Sequence, residues 1–124
     1  MIGYTCLGTN HLEQAVAFYS ELLSLLGAQP FFKSERGVGW GVSPDQPMFS
    51  VMKPFDGQSA SVGNGTMVAL AAKDPEQVQA LHAKALALGG RDEGAPGPRG
   101  TGFYGAYFRD LDGNKLAAFC LVKG

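Results

Sequence analysis

The 124-residue sequence lacks the features that membrane-spanning, exported or nucleic-acid-binding proteins need. It has no run of 18 apolar residues, which excludes a membrane-spanning helix and predicts no membrane partner. Its first residues do not show the basic, apolar and small-residue order of a signal peptide, so we expect a cytoplasmic protein. The ten Lys and Arg residues are scattered and face eleven Asp and Glu residues, a balance that predicts no nucleic-acid partner.

Cysteine and histidine are scarce as well. Cys6 and Cys120, at opposite ends of the chain, could pair in principle, but without an export signal we expect reduced thiols, with Cys6 as a small buried residue. His11 falls at the start of one predicted helix and His82 within another, positions typical of surface or helix-flank histidines. The sequence has no nucleophile elbow, phosphate-binding loop or Ser/His/Asp set.

Glycine is abundant, at 18 of 124 residues, and 45% of the residues are hydrophobic. The hydrophobic fraction is sufficient for the core of one domain, and the glycines predict many turns between short elements.

The first half of the chain predicts a strand, a helix and three more strands. Residues 2–9 form the first strand, and Asn10 with Glu13 three residues later predicts the start of the helix. The helix has apolar residues at spacings of three and four and ends at Gly27. The short strands that follow are expected at residues 28–33, 39–42 and 48–53.

The second half repeats this plan. A strand at residues 67–72 precedes a helix that starts with Asp74 as its N-cap and ends at Gly89. Residues 94–102 are rich in Gly and Pro and predict a loop that carries Arg99. The last two strands, joined by a hairpin turn, are expected at residues 103–109 and 115–122.

The two halves are in register with each other. Glu13 and Glu76, near the helix starts, are 63 residues apart, and Gly27 and Gly89, at the helix ends, are 62 apart. This offset predicts a duplicated strand-helix-three-strand unit, with module 1 at about 1–56, a linker at about 57–65 and module 2 at about 66–124. One helix covers one sheet face, so the other face must meet the other half, a partner chain or a ligand.

The duplicated βαβββ plan, with Asn10–Glu13 after the first strand and Asp110–Lys115 near the end, resembles the vicinal oxygen chelate superfamily. This superfamily includes glyoxalase I, extradiol dioxygenases and the bleomycin and fosfomycin resistance proteins. The resemblance covers the whole chain. It implies an α+β fold in which two tandem βαβββ modules form a U-shaped mixed sheet around a central cavity, often completed by a homodimer.

The resemblance also implies a divalent metal held by side chains from four strands, usually His, Gln or Glu. At the matching positions this sequence has Tyr4, Met67, Ala117 and either Ser50 or Met52. A thioether, a methyl group and un-ionised hydroxyls are poor ligands for a hard divalent ion. We therefore expect no metal and no cofactor.

Strand alternation predicts that Tyr4, Ser50, Met52 and Met67 line the cavity. Tyr104 and Tyr107, on opposite faces of one strand, offer hydroxyls, Trp40 lies between two glycines, and Arg99 lies on a loop that could close over the cavity. The candidate ligand-binding residues are Tyr4, Trp40, Ser50, Met52, Met67, Arg99, Tyr104 and Tyr107. A pocket rich in methionine and aromatic side chains suits a flat apolar or aromatic small molecule. For each candidate a purely structural role stays open: packing in the core or at a subunit interface, or, for Arg99, a solvated charge on a loop.

Three functions remain open. The first is a homodimeric small-molecule-binding protein without a metal, similar to the bleomycin resistance members of the family. The second is a glyoxalase-like lyase or a dioxygenase-like enzyme with an altered metal set, or with Tyr4, Tyr104 or Tyr107 as a metal-free acid or base. The third is a structural component of a larger complex. The sequence leaves open whether the protein is an enzyme.

Overall fold

The chain folds into two strand-helix-three-strand modules, as the internal repeat predicts. The computed structural model describes residues 1–123. The first module contains β1 (Tyr4–Gly8), α1 (Leu12–Ser24), β2 (Gln29–Lys33), β3 (Gly37–Gly41) and β4 (Met48–Met52). The second contains β5 (Val68–Ala71), α2 (Pro75–Ala87), β6 (Arg91–Pro98), β7 (Phe103–Arg109) and β8 (Lys115–Leu121). Neither helix in this part of the chain has the length and hydrophobicity that crossing a bilayer requires.

Each module forms its own four-stranded mixed sheet. The strand orders are β1-β4-β3-β2 and β5-β8-β7-β6, and in each sheet the first pair is parallel and the others antiparallel. Within residues 1–123 no strand of one sheet pairs with a strand of the other. The predicted α+β fold of two βαβββ modules is confirmed, and the eight strands form two sheets whose edge strands are β1 and β2 in the first and β5 and β6 in the second.

The two helices and the sheet sides beneath them form one hydrophobic core. Both helices bury the apolar positions that recur at helical spacing, which is why each helix packs on its sheet. The largest fully buried side chains include Trp40, Tyr19, Phe108, Leu22, Leu81 and Leu116. We call the opposite side of each sheet, which points away from its helix, the inner face.

The turn after β7 joins the two modules. The carboxylate of Asp110 is buried and accepts hydrogen bonds from the Tyr19 hydroxyl of α1 and from the Asn114 side chain. The Asn114 amide also donates to the carbonyl oxygen of Gly8, at the end of β1, at 2.9 Å. The Asp110–Lys115 motif that carries the family resemblance therefore connects the second module to the first through buried hydrogen bonds.

Two local predictions are wrong. The N-cap residue of α1 is His11, because the Asn10 side chain instead bonds both the amide and the carbonyl of Ala60. Residues 94–98, predicted as a loop, belong to β6, whose pairing with β7 contains two register shifts. The predicted cap of α2 is confirmed, since the side chain of Asp74 accepts a hydrogen bond of 2.9 Å from the backbone amide of Gln77, in the first turn of α2.

Candidate functional site

The inner face of the first sheet is hollow and apolar. Side chains alternate along β3, so that Val38 and Trp40 enter the core while Gly37, Gly39 and Gly41 place no side chain on the inner face. The result is a hollow of about 220 Å³. The residues around it are Tyr4, Phe32, Gly39, Met48, Ser50 and Met52.

The glycines of β3 differ in the space that they leave free. A Cβ atom at Gly39 would lie 3.6 Å from the Cβ atoms of Phe32 and Ser50, which is ordinary van der Waals contact. A Cβ atom at Gly37 would lie 2.5 Å from the carbonyl oxygen of Val51, which is a clash with the backbone. Gly37 is therefore required by strand packing, whereas Gly39 leaves usable space in the floor of the hollow.

Polar groups in this hollow are few. Ser50 is 2% exposed, and its hydroxyl already donates to the carbonyl oxygen of Thr5 at 2.5 Å. Tyr4 is 63% exposed, so its phenol is open to solvent or to a ligand. The remaining contacts come from the polarisable thioethers of Met48 and Met52 and from an aromatic ring. This lining suits a flat apolar body that forms few hydrogen bonds.

The inner face of the second sheet is aromatic and positively charged. The guanidinium carbon of Arg99 and the ammonium nitrogen of Lys115 each lie 5.5 Å from the ring centroid of Tyr107. Beside them the rings of Phe103 and Phe119 stack with centroids 5.3 Å apart and an interplanar angle of 5°. Cations over an aromatic ring are attracted by its quadrupole, so the Tyr107 ring positions both charges.

Arg109 lies on the same inner face, because it follows Tyr107 by two residues in β7. Its Nε donates to the Oε1 atom of Glu93 at 2.7 Å, and this hydrogen bond lowers the pKa of Glu93. Arg109 and Lys115 line a second cavity, of about 520 Å³, whose other wall is the backbone and side chains of residues 62–67.

The structure separates the predicted ligand-binding residues into three groups. The hollow of the first inner face brings together Tyr4, Ser50 and Met52. Three others belong to the second module: Met67 in the cavity beside Lys115, and Arg99 and Tyr107 in contact with each other. No cavity described for residues 1–123 contains members of both of these groups.

The third group, Trp40 and Tyr104, faces the core. Trp40 is 1% exposed and packs against Tyr19 and Phe49 at centroid distances of 5.9 Å and 6.3 Å. Tyr104 alternates to the helix side of β7, where its hydroxyl accepts a hydrogen bond from Gln79 of α2 at 2.8 Å. Neither residue lines an inner face, because alternation places the side chains of both on the helix side of their strands.

The predicted surroundings of Cys6 and His82 also need correction. Cys6 is exposed, since it lies on the same side of β1 as Tyr4. His82 is buried, at 7% exposure, and its Nε2 lies 2.9 Å from Oδ1 of Asp92, which ties α2 to β6. Hydrogen bonds from the Gly94 amide and from His82 lower the pKa of Asp92.

The residues at the family's metal positions do not fit a divalent ion. Ser50 donates its hydroxyl proton to the backbone, and Met67 offers a thioether in a different cavity from that of Tyr4. Ala117, in β8, has no ligand atom. Among residues 1–123 no three His, Cys, Asp or Glu side chains lie close enough together to hold a metal. No chemical step through a metal follows from this donor set.

Comparison with known proteins agrees with the fold. A glyoxalase/bleomycin resistance protein from Albidiferax ferrireducens T118 is 38% identical, with a TM-score of 0.90 over 98% of this chain and 99% of that one. A hypothetical protein from S. aureus is 25% identical, with a TM-score of 0.73 over 97% and 92%. Lactoylglutathione lyase from Agrobacterium tumefaciens, 21% identical with a TM-score of 0.72 over the same shares, is similar in fold.

No curated protein matches the chain significantly in sequence. Residues 1–118, however, match the family profile of the Glyoxalase/Bleomycin resistance protein/Dioxygenase superfamily. This match covers nearly the whole chain and agrees with the two-module fold. The chain therefore belongs to the Glyoxalase/Bleomycin resistance protein/Dioxygenase superfamily.

Proposed function

We propose that this protein binds a flat apolar or aromatic small molecule on its first inner face, without the family's metal, and that it acts as a homodimer. The observation that carries the proposal is the hollow above Gly39, where an apolar floor is surrounded by two thioethers, an aromatic ring and one accessible phenol. Such a lining binds through shape and dispersion, and the Tyr4 hydroxyl orients the ligand.

The hollow is too small to enclose a ligand by itself, which indicates that a second surface completes the proposed site. Its volume of about 220 Å³ is below the roughly 300–1,000 Å³ of typical small-molecule sites. A ligand lying in it would keep one face in solvent. A surface opposite the first inner face would enclose that ligand, and within residues 1–123 the second sheet does not line this hollow.

A second copy of the chain is the proposed source of that wall. The edge strands β1 and β5, like β2 and β6, have one unpaired side within residues 1–123. Large apolar side chains on or next to strands β1, β2, β5 and β8 are exposed. The side chains concerned are Ile2, Tyr4, Phe31, Phe32, Met67 and Leu121. Exposed large apolar side chains in this number favour an interaction with another surface. In the proposed homodimer the first inner face of one copy lies opposite the second inner face of the other.

Methionine methyl NMR tests the binding site directly, because Met48 and Met52 both line the hollow. Titration with neutral two-ring aromatic compounds, such as 2-naphthamide, should shift both methyl signals in a saturable way. Gly39→Leu places a side chain in the free space and should abolish the shifts. Ala87→Leu, on the exposed end of α2, is the matched control and should bind as the wild type does.

Absence of a saturable shift in the wild type, or shifts that survive in a folded Gly39→Leu protein, would contradict binding in the hollow. Circular dichroism of both variants shows whether they fold. Sedimentation equilibrium tests the assembly separately: the proposal expects twice the mass of one chain at micromolar concentration, and a monomer under these conditions would contradict it.

A second candidate is an enzyme with an altered metal set or a tyrosine acid or base. One observation favours it: phenols are present on both inner faces, Tyr4 on the first and Tyr107 on the second. The similarity in fold to a lactoylglutathione lyase is compatible with this candidate. Elemental analysis of protein purified without chelators distinguishes the metal-dependent version, since one bound zinc, nickel, manganese or iron ion per chain would support it.

A further inference from the structure

The second inner face carries an excess of positive charge, although the chain as a whole has a net charge of −1. Its cations are Arg91, Arg99, Arg109 and Lys115, and Glu93 is the carboxylate that lies among them. The first inner face, by contrast, presents uncharged side chains around its hollow. The two faces therefore differ in the chemistry that each can offer to one ligand.

Neither Lys115 nor Arg99 forms an ion pair within residues 1–123. Within residues 1–123 the ion pairs are His82–Asp92, Lys84–Glu21 and Arg109–Glu93, and none of them includes Lys115 or Arg99. A cation beside an aromatic ring and without a carboxylate partner keeps its attraction for an anion. Lys115 is the better placed of the two, since its long side chain reaches both the Tyr107 ring and the adjacent cavity.

Arg99 is fixed in place by the backbone. Its guanidinium donates to the carbonyl oxygens of Ala95 at 2.6 Å and Gly97 at 3.0 Å, and it lies over Tyr107. Carbonyl oxygens orient the group but carry no net charge, so the positive potential remains. The arrangement places the guanidinium of Arg99 and the ammonium of Lys115 at equal distances from the same Tyr107 ring.

The cavity of about 520 Å³ beside Lys115 is where an anion would be held. Arg109 and Lys115 supply donors on one wall, and the opposite wall contains apolar groups of Val62 and Met67. Arg109 is oriented by its hydrogen bond to Glu93. Lys115 forms no salt bridge within residues 1–123, so it can bind a ligand without first breaking one. An acid head group fits the cationic wall of this cavity.

We propose that the ligand of this protein is an organic acid: a carboxylate joined to a flat apolar or aromatic body, with Lys115 as the principal residue that binds the carboxylate. This inference rests on the proposed function, because it assigns the apolar body to the first inner face and the acid group to the second. Arg109 provides a further donor, and Arg99 raises the local positive potential.

The test compares two probes of nearly equal shape, 2-naphthoate and 2-naphthamide, by methionine methyl NMR. We expect the wild type to bind the carboxylate about tenfold more tightly than the amide at low salt, as for one charge-assisted hydrogen bond. Lys115→Gln and Arg99→Gln should each reduce this preference, Lys115→Gln to about twofold or less. Lys84→Gln removes a cation on the helix side and is the control that should keep it.

The outcomes separate the two proposals. Equal affinity for both probes in the wild type would overturn the organic-acid inference and leave the apolar site intact. A carboxylate preference that persists in both Lys115→Gln and Arg99→Gln would overturn the assignment of these residues. Binding of neither probe would overturn this inference together with the proposed function. A preference that falls as NaCl is raised from about 20 to 500 mM would support a charge interaction exposed to solvent.

Discussion

The hydroxyl of Tyr19 donates a hydrogen bond of 2.5 Å to Oδ2 of Asp110, 91 residues further along the chain. Tyr19 belongs to α1 of the first module and Asp110 to the turn after β7 of the second. Both residues are buried, and the carboxylate receives further hydrogen bonds from the side chain and the amide of Asn114. This single contact holds a charged group of one module against the helix of the other.

Tyr19→Phe should destabilise the protein by about 1–3 kcal/mol, because the buried Asp110 carboxylate loses a donor while its charge remains. Urea denaturation followed by circular dichroism measures the free energy of unfolding. The matched control is Tyr4→Phe, whose hydroxyl is exposed and whose loss should change stability by less than about 0.5 kcal/mol. Equal effects of the two substitutions would contradict a stabilising role for this contact.

The same pair predicts a loss of stability in alkali. Burial, and then the negative charge of Asp110, raise the pKa of Tyr19 well above its ordinary value of 10.0. The unfolded chain therefore releases this proton at lower pH than the folded chain, so the contribution is constant below about pH 10 and is lost as pH rises further. Between about pH 8 and 11 the wild type should lose more stability than Tyr19→Phe. Parallel pH profiles of the two proteins would speak against this prediction.

Gly37→Ala and Gly39→Ala should differ sharply although they lie two residues apart in β3. The first places a methyl group 2.5 Å from the Val51 carbonyl oxygen and should cost about 1–3 kcal/mol. The second makes ordinary contacts, and removing a strand glycine should leave stability unchanged or raise it by up to about 1 kcal/mol. Thermal denaturation of both variants measures the difference, and a reversed order would show that the hollow is not free space.

His82→Ala should destabilise the packing of α2 on β6 by about 1–3 kcal/mol, through loss of a buried side chain and of its bond to Asp92. Hydrogen exchange should then become faster in both of these elements. His11→Ala, at an exposed position without a side-chain capping bond, is the control and should change little. Similar exchange rates in the two variants would argue against a structural role for His82.

Most of the fold is predictable because short local sequence signals mark where its helices begin and end. Gly27 and Gly89 adopt the positive φ angles of 76° and 102° that a helix end requires, and Asp74 forms the expected cap. Strand β6 was not predictable in this way, because its Gly and Pro residues are typical of a loop and its pairing with β7 contains bulges. Asn10 matches the pattern of a cap residue, yet its distant partner Ala60 cannot be seen in sequence.

The site was predictable only in part. The alternation of side chains along a strand divides them between two faces, but it does not say which face packs against a helix. The shared side of Tyr4, Ser50 and Met52 followed from the pattern, whereas the burial of Trp40 depends on its packing against α1. The burial of His82 was predictable from the sequence, because His82 follows Val78 by four residues and so lies on the same, buried face of the helix. The separation of apolar and cationic inner faces needed the tertiary structure.

Gly39 of β3 is a position at which the proposed binding surface can change, because a side chain added there meets only ordinary contacts. At Gly39 each added carbon would make the floor shallower, while the residues behind it, Val38 and Trp40, stay as they are. If the proposed site binds a ligand, its choice of ligand can vary through single substitutions at this position without rebuilding the interior. Relatives with a larger residue at this position should accept thinner or smaller molecules within the same scaffold.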